Sequence, residues 1–117
     1  MPTVSPRTEE FSWGRMEWLA DHASHPGVRA SLARMVIKAK EASPRHRHDN
    51  CAEILHVLDG AVTVHIDGNG PLPLLSGGTT VVPAYKSHWV SNAGPTQAVI
   101  MIAYSSGTGD YIEVDAA

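Results

Sequence analysis

The chain has 117 residues, which fits one domain that can bury a hydrophobic core. Its single cysteine, Cys51, excludes an intramolecular disulfide and indicates a cytoplasmic location. Nine Lys and Arg oppose twelve Asp and Glu, with no clustered basic face beyond Arg45 and Arg47, so no nucleic-acid partner is expected. No signal peptide is read, and the longest apolar run, residues 98–104, is far shorter than the roughly 20 residues that cross a bilayer, so no membrane partner is expected either.

The N-terminal part of the chain has the weakest pattern. The first ten residues contain two prolines and no apolar periodicity, which predicts an extended arm that ends at about residue 12. Residues 11–23 fit both a helical and a strand spacing, and we favour strand and loop because the downstream pattern is β throughout. The alternation over residues 29–38 then predicts a strand.

Turn signals divide the remaining chain into short strands. Asp59-Gly60 indicates a hairpin between strands at residues 52–58 and 61–66, and Ser76-Gly77-Gly78 indicates another turn. Further strands are predicted at residues 71–75, 79–82, 88–91, 97–104 and 111–114. About nine or ten short strands, with turns roughly every eight to twelve residues and no convincing helix, favour an antiparallel sandwich or barrel.

Two of the seven histidines, His46 and His48, stand two residues apart in a segment expected to be extended. Side chains at this spacing face the same side of a strand, so the two imidazoles would form a bidentate clamp for a borderline cation. Glu53 would join them through a turn at Asp49-Asn50 and would share a face with apolar residues, where a carboxylate is costly unless a metal ion compensates. The alternative is a solvated basic turn, since two arginines accompany the pair.

This spacing resembles the first motif of the cupin superfamily, in which a glycine precedes two histidines, a glutamate and a second glycine. The matching residues are His46, His48, Glu53 and Gly60. Lys40 stands where the opening glycine of the motif would fall. The second motif of the family is matched by Gly77, Pro83, His88 and Asn92. Tyr85 stands where that motif usually has another glycine.

The resemblance covers roughly residues 30–104 and implies an all-β fold, a cupin-type jelly-roll β-barrel (double-stranded β-helix), as a single domain over residues 1–117. It also implies hairpins that close at Gly60 and Gly77, and one divalent transition metal ion near the barrel mouth. The implied ligands suit Fe, Mn, Ni, Co or Zn. These ligands are His46, His48, Glu53 and His88. Four protein ligands leave two positions of an octahedral ion open.

Other side chains near the motifs could contact a substrate. The Tyr85 hydroxyl is expected to act as an acid or a hydrogen-bond donor over the metal. Trp89 follows a ligand, so it is expected to point away from the metal and to pack in the core or at an interface. Either Met35 or Arg34 faces inward and would help to select the substrate, and the sequence leaves both open.

Three more reactive side chains receive structural interpretations. Cys51 is expected to be a small buried hydrophobe. His56 alternates onto the strand face opposite Glu53 and is predicted to be a packed or interface residue. His65 lies on the outer face of its strand and is expected to be solvated.

Two functional hypotheses follow from the resemblance. The first is a metal-dependent enzyme that acts on a small oxygen-rich organic molecule chelated at the metal, with dioxygenase-like oxidoreductase chemistry preferred and lyase or isomerase chemistry next. The second is a non-catalytic protein that binds a metal or a small ligand. The resemblance also implies a homodimer, for which Ile54, Leu58 and the aromatic segment 11–18 offer apolar surface.

Overall fold

Eleven short strands make up the regular structure of the computed structural model, which describes residues 6–114. The strands are β1 (Arg7–Phe11), β2 (Gly14–Ala20), β3 (Ser31–Ile37), β4 (His46–Arg47), β5 (Glu53–Asp59), β6 (Ala61–Ile66), β7 (Gly70–Leu75), β8 (Thr79–Val82), β9 (His88–Ser91), β10 (Ala98–Tyr104) and β11 (Ile112–Glu113). Residues 1–5 of the predicted N-terminal arm lie outside the described residues. Within the described range, no helix is long and apolar enough to span a lipid bilayer.

The strands form two antiparallel sheets that pack face to face. The six-stranded sheet has the order β1-β2-β3-β10-β5-β8, and the five-stranded sheet has the order β11-β4-β9-β6-β7. Burial alternates along the strands, as in β10, where every second residue from Ala98 to Tyr104 is buried. Such alternation is typical of sheets with one face on the core and one on solvent. The predicted all-β jelly-roll fold is confirmed.

Two of the predicted hairpins are wrong in their strand pairing. The chain does turn at Gly60 and at Gly77, which have φ angles of 87° and 89°. However, β5 pairs with β8 and β10, whereas β6 pairs with β7 and β9, so the chain changes sheets at each of these turns. A turn signal determines local chain reversal, but the pairing depends on strands that are distant in sequence. Consecutive strands form hairpins instead at β1–β2 and β6–β7.

The predicted N-terminal arm is also ordered further than expected. Residues 7–11 form β1, which pairs antiparallel with β2 along its whole length, from Arg7 opposite Trp18 to Phe11 opposite Gly14. The favoured strand reading of residues 11–23 therefore agrees with β2. The arm becomes an edge strand because β2 offers it a complete ladder of hydrogen bonds.

Lys40 and Tyr85 replace the two motif glycines without changing the backbone that glycine favours. Their φ angles are 66° and 72°. Within residues 6–114, no other non-glycine residue has a positive φ angle. This left-handed region costs roughly 1–2 kcal/mol for a residue with a Cβ. The Tyr85 amide donates to the carbonyl oxygen of His48 at 2.8 Å, which ties its loop to the segment of the first motif.

Candidate metal centre

Four polar side chains meet between the two sheets. His46 and His88 are cross-strand partners in β4 and β9, while Glu53 begins β5 of the opposite sheet and His48 follows β4. Each offers one nitrogen or oxygen atom, and these four atoms all lie within 4.8 Å of one another. A common ion could therefore contact all four.

The cluster is buried, although it is formed by charged and polar residues. Glu53, His48 and His88 have exposed fractions of 2%, 6% and 1%, and His46 is half-buried. The chain bends at Asp49 and Asn50, where the sequence predicted a turn, and then enters β5 with Glu53 directed inward beside Leu55. A carboxylate at such a position requires compensation by a hydrogen bond or a cation.

Backbone carbonyls fix the orientation of all three imidazoles. His46 Nδ1 donates to the Pro44 oxygen at 2.8 Å, and His88 Nδ1 donates to the Lys86 oxygen at 2.9 Å. His48 Nδ1 donates in the same way to the carbonyl oxygen of Asp110. A carbonyl only accepts, so each Nδ1 carries the hydrogen, and a ring in its neutral form presents the Nε2 lone pair to the cluster.

The atoms that face the cluster centre have no hydrogen-bond partner among residues 6–114. These atoms are His48 Nε2, His88 Nε2 and Glu53 Oε1. Glu53 Oε1 nevertheless lies 3.3 Å from His48 Nε2 and in contact with His88 Nε2. Lone pairs that face one another in a buried site repel unless a cation or a proton lies between them. The donor set, with three imidazole nitrogens and one carboxylate oxygen, supports binding of a divalent metal ion.

The ionisation of two cluster residues also suits ligation. Burial, together with the neighbouring His88, lowers the pKa of His46 to about 4. Burial by itself raises the pKa of Glu53, but the contacts with His48 and His88 outweigh it and lower that pKa to about 2. At neutral pH the His46 ring is therefore neutral and Glu53 is anionic, which are the forms that bind metals.

A cavity of about 510 Å³ opens beside the cluster. Met35 lines it, whereas Arg34 points outward and donates to Glu17 Oε1 at 2.5 Å, so the structure decides between these two candidates. Trp13 and Trp18 also contribute to its lining. The ligands thus lie at the wall of a space that could hold a small molecule.

Tyr85 does not lie where the motif suggested, whereas Trp89 points away from the metal as expected. Tyr85 is 71% exposed and does not line the cavity, so the geometry gives no support to its expected catalytic role. Trp89 also points away from the cavity and stacks on His65, with ring centroids 4.5 Å apart. His65 is therefore not simply solvated, because it is half-buried and its Nε2 lies 2.9 Å from Ser91 Oγ.

Cys51 and His56 take structural positions. Cys51 is buried, with 4% exposed, and burial raises the pKa of its thiol to about 11, so it stays protonated as a small hydrophobe. His56 faces outward, where its Nδ1 lies 2.6 Å from Thr79 Oγ1.

Sequence reasoning missed the contribution of the C-terminal segment, residues 105–114. This segment provides the Asp110 carbonyl that orients His48. It also stacks the Tyr111 ring on the His46 ring, with centroids 4.8 Å apart. Tyr104, just before this segment, lines the cavity, and the centroid of its ring lies 5.3 Å from the centroid of the His48 ring. The alternation of β10 could have identified Tyr104 as inward-facing, but no local pattern marks Asp110 or Tyr111.

These features define a class of protein with two packed antiparallel sheets around a buried cluster of three histidines and one glutamate. Residues 33–104 match the family model described as "Cupin domain". The chain belongs to the cupin family.

Two curated plant proteins are similar in sequence. The chain is 31% identical over 86 residues to germin-like protein 1 of Brassica napus, a match that covers 70% of this chain and 42% of the relative. It is 30% identical over 100 residues to putative germin-like protein 9-2 of Oryza sativa subsp. japonica, with coverage of 82% and 47%. The matches thus span less than half the length of these relatives.

Solved structures share the fold. An oxalate decarboxylase of Lactobacillus farciminis superposes with a TM-score of 0.85 at 18% identity, covering 93% of this chain and 33% of that one. An oxalate oxidase superposes with a TM-score of 0.79 at 25% identity, covering 96% and 60%. The first likeness shows the fold alone, because its sequence identity is low.

Proposed function

We propose that the chain binds one divalent transition metal ion through His46, His48, Glu53 and His88, and that it is a dioxygenase-like oxidoreductase for a small oxygen-rich organic molecule. The observation that carries the proposal is the set of buried, unpartnered Nε2 and Oε1 atoms at the wall of a cavity. The oxalate oxidase likeness supports a ligand that chelates through oxygen.

The bound ion would act as a Lewis acid and, if it is redox-active, would allow reaction of the chelated ligand with dioxygen. The residues of the chain have separate tasks. The carbonyls of Pro44, Lys86 and Asp110 hold the rings in the ligating orientation. Tyr104 lines the cavity beside the cluster, and its hydroxyl would donate a hydrogen bond to an oxygen of the ligand.

Lyase or isomerase chemistry, the second candidate, needs a group that removes a proton from the substrate. Of the described residues that line the inner cavity, the tyrosines are poor bases, because burial raises the pKa of Tyr104 well above its usual value. The remaining carboxylates are exposed, like Glu9 and Glu113, or paired, like Asp21 with Arg7. This distribution disfavours a reaction that depends on a buried protein base, and so favours the oxidative reaction, in which the chelated ion itself would make the substrate's hydroxyl protons more acidic.

The decisive experiment is elemental analysis of full-length protein purified without added metal or chelator. We expect about one equivalent of Fe or Mn per chain, followed by consumption of dioxygen when catechols or diketones are added. Zn with turnover but no oxygen uptake would favour the lyase or isomerase reaction. Tight ligand binding without turnover would instead favour a non-catalytic binding protein, and absence of any bound metal would contradict the proposal.

We further propose that the chain forms a homodimer through the outer face of the six-stranded sheet. Leu32, Ile54 and Val81 lie in one cross-strand row there, with exposed fractions of 36%, 47% and 54%. An apolar row of this kind is typical of an interaction surface. Light scattering should give a dimer that Ile54→Lys converts to a monomer. The cytoplasmic location stays a prediction from the single, unpaired Cys51.

A further inference from the structure

The cavity beside the metal centre is large and apolar on one side. Its volume of about 510 Å³ lies in the range of roughly 300–1,000 Å³ that is usual for pockets with drug-sized ligands. Trp18, Ile102 and Leu55 line it from a single cross-strand row of the six-stranded sheet. A ligand held by the cluster would therefore lie against an apolar wall.

Two of the polar side chains that line the rest of the cavity already have partners. Ser43 Oγ accepts a hydrogen bond from the Val90 amide at 3.0 Å, and Glu9 Oε1 accepts one from the Trp18 indole at 2.6 Å. A ligand group that bound here would have to displace one of these contacts. A polar group placed against this part of the cavity would otherwise be buried without a partner, which is unfavourable.

The charges that line the cavity disfavour a second anionic group. Among the described lining residues, Arg7 is the one arginine and no lysine is present. Its Nη2 lies 2.8 Å from Asp21 Oδ2, so its charge is already paired. Glu9 and Glu113 add two more carboxylates at the rim. Away from the metal, a dianionic ligand would therefore meet net negative charge.

Free hydrogen-bonding capacity is concentrated at the metal end. The Tyr104 ring contacts His48, and no hydrogen bond to its hydroxyl is found within residues 6–114. This hydroxyl, that of Tyr111, which stacks on His46, and the open positions of a bound ion are therefore groups at the metal end that can take the polar part of a ligand.

From this distribution we infer that the site takes a ligand with two adjacent oxygens as its head and an apolar, aromatic-sized body, and that it discriminates against small dianionic acids. The head would chelate the ion, and the body would pack on the wall formed by Trp18, Ile102 and Leu55. The inference rests on the proposed function and names its substrate class.

The test uses the full chain loaded with Zn(II), with one metal per chain first established by elemental analysis. Benzohydroxamate and acetohydroxamate share one bidentate head and differ only in phenyl against methyl. By calorimetry we expect benzohydroxamate to bind about tenfold more tightly or better, because the phenyl ring is buried. Phenylglyoxylate and oxalate both chelate through oxygens on adjacent carbons, and we expect the dianionic oxalate to bind more weakly.

A lining variant and a matched control locate the preference. Trp18→Ala should reduce the phenyl preference several-fold, whereas Trp89→Ala, which removes a tryptophan outside the cavity, should leave both the preference and the metal content unchanged. Equal affinity for the two hydroxamates, tighter binding of oxalate, or an unchanged preference in a folded Trp18→Ala variant would overturn the inference. If Trp18→Ala does not fold, the two ligand pairs on the unaltered chain still decide. A chain that binds hydroxamates equally but holds Zn(II) leaves the proposed metal centre intact, while a chain that holds no metal refutes both.

Discussion

The core that matches the cupin family and the segments that flank it make different contributions to the site. Residues 33–104 supply all four candidate ligands. The flanking segments supply much of the cavity wall, through Trp18 of β2 and Tyr111 near the C-terminus, and also the carbonyl of Asp110 that orients His48. The comparison indicates that the metal-binding residues reside in the shared core. The selection of a bound organic molecule and the orientation of the metal-binding side chains depend on segments outside it.

The largest expected effect comes from removing a core ligand. Glu53→Ala should weaken metal binding by more than about 100-fold, because it removes the one anionic ligand. Zn(II) at 100 times its Kd should stabilise the unaltered chain by about 2.7 kcal/mol and raise Tm by roughly 10 °C. In a thermal unfolding assay this increase should vanish in Glu53→Ala and persist in Glu113→Ala, a cavity-rim control. An unchanged response of Glu53→Ala to Zn(II) would exclude Glu53 as a ligand.

A smaller effect is expected from the flanking C-terminal segment. Asp110 Oδ1 accepts hydrogen bonds from the amides of Asp49 and Asn50, at 2.8 and 3.4 Å, and thereby fixes the bend that directly follows His48. Asp110→Ala leaves the backbone carbonyl in place but frees this bend, and should weaken metal binding by about tenfold, as is usual for groups that orient a ligand. Asp110→Asn keeps an acceptor oxygen and should restore the affinity. Equal affinity in all three proteins would confine metal binding to the core.

The next effect separates ligand binding from metal binding. Tyr104→Phe removes the hydroxyl of a cavity-lining residue, and should weaken hydroxamate binding by about fivefold, which corresponds to one hydrogen bond of about 1 kcal/mol. The metal affinity should not change, because the ring and its contact with His48 remain. Tyr85→Phe, at the exposed position, is the control and should alter neither value. Calorimetric titration of each metal-free protein with Zn(II) measures the metal affinity, and titration of the Zn(II)-loaded protein with hydroxamate measures the ligand affinity.

The smallest effect concerns a departure from the motif within the core. Tyr85 has a φ angle of 72°, a conformation that glycine adopts freely and residues with a Cβ do not. Tyr85→Gly should therefore be more stable than Tyr85→Ala by up to about 1 kcal/mol, after allowance for the greater entropy of glycine in the unfolded chain. Urea unfolding compares the two variants. A more stable alanine variant would show that this backbone is not strained.

Sequence reasoning succeeded where the signal was local. The period of two in β6 indicates which of its residues are buried, and the spacing of His46, His48, Glu53 and His88 identified the residues that the fold brings together. Local spacing could not place the Tyr85 side chain, which is exposed and outside the cavity lining, because a motif position does not tell where a side chain points when the backbone is left-handed there.

Strand pairing and the surroundings of the cluster were decided by the tertiary structure. The turn at Gly60 looked like a hairpin, but β5 finds its neighbour β10 about 40 residues further along the chain. Likewise His48 and Asp110 are 62 residues apart in sequence and meet only because β11 returns to pair with β4. The sequence by itself determined the alternation of apolar residues and the types of the four ligands, since both follow from local spacing. Which strands are neighbours, which side chains close the cavity and which carbonyl orients each imidazole depended on contacts between distant segments, and only the folded chain decides these.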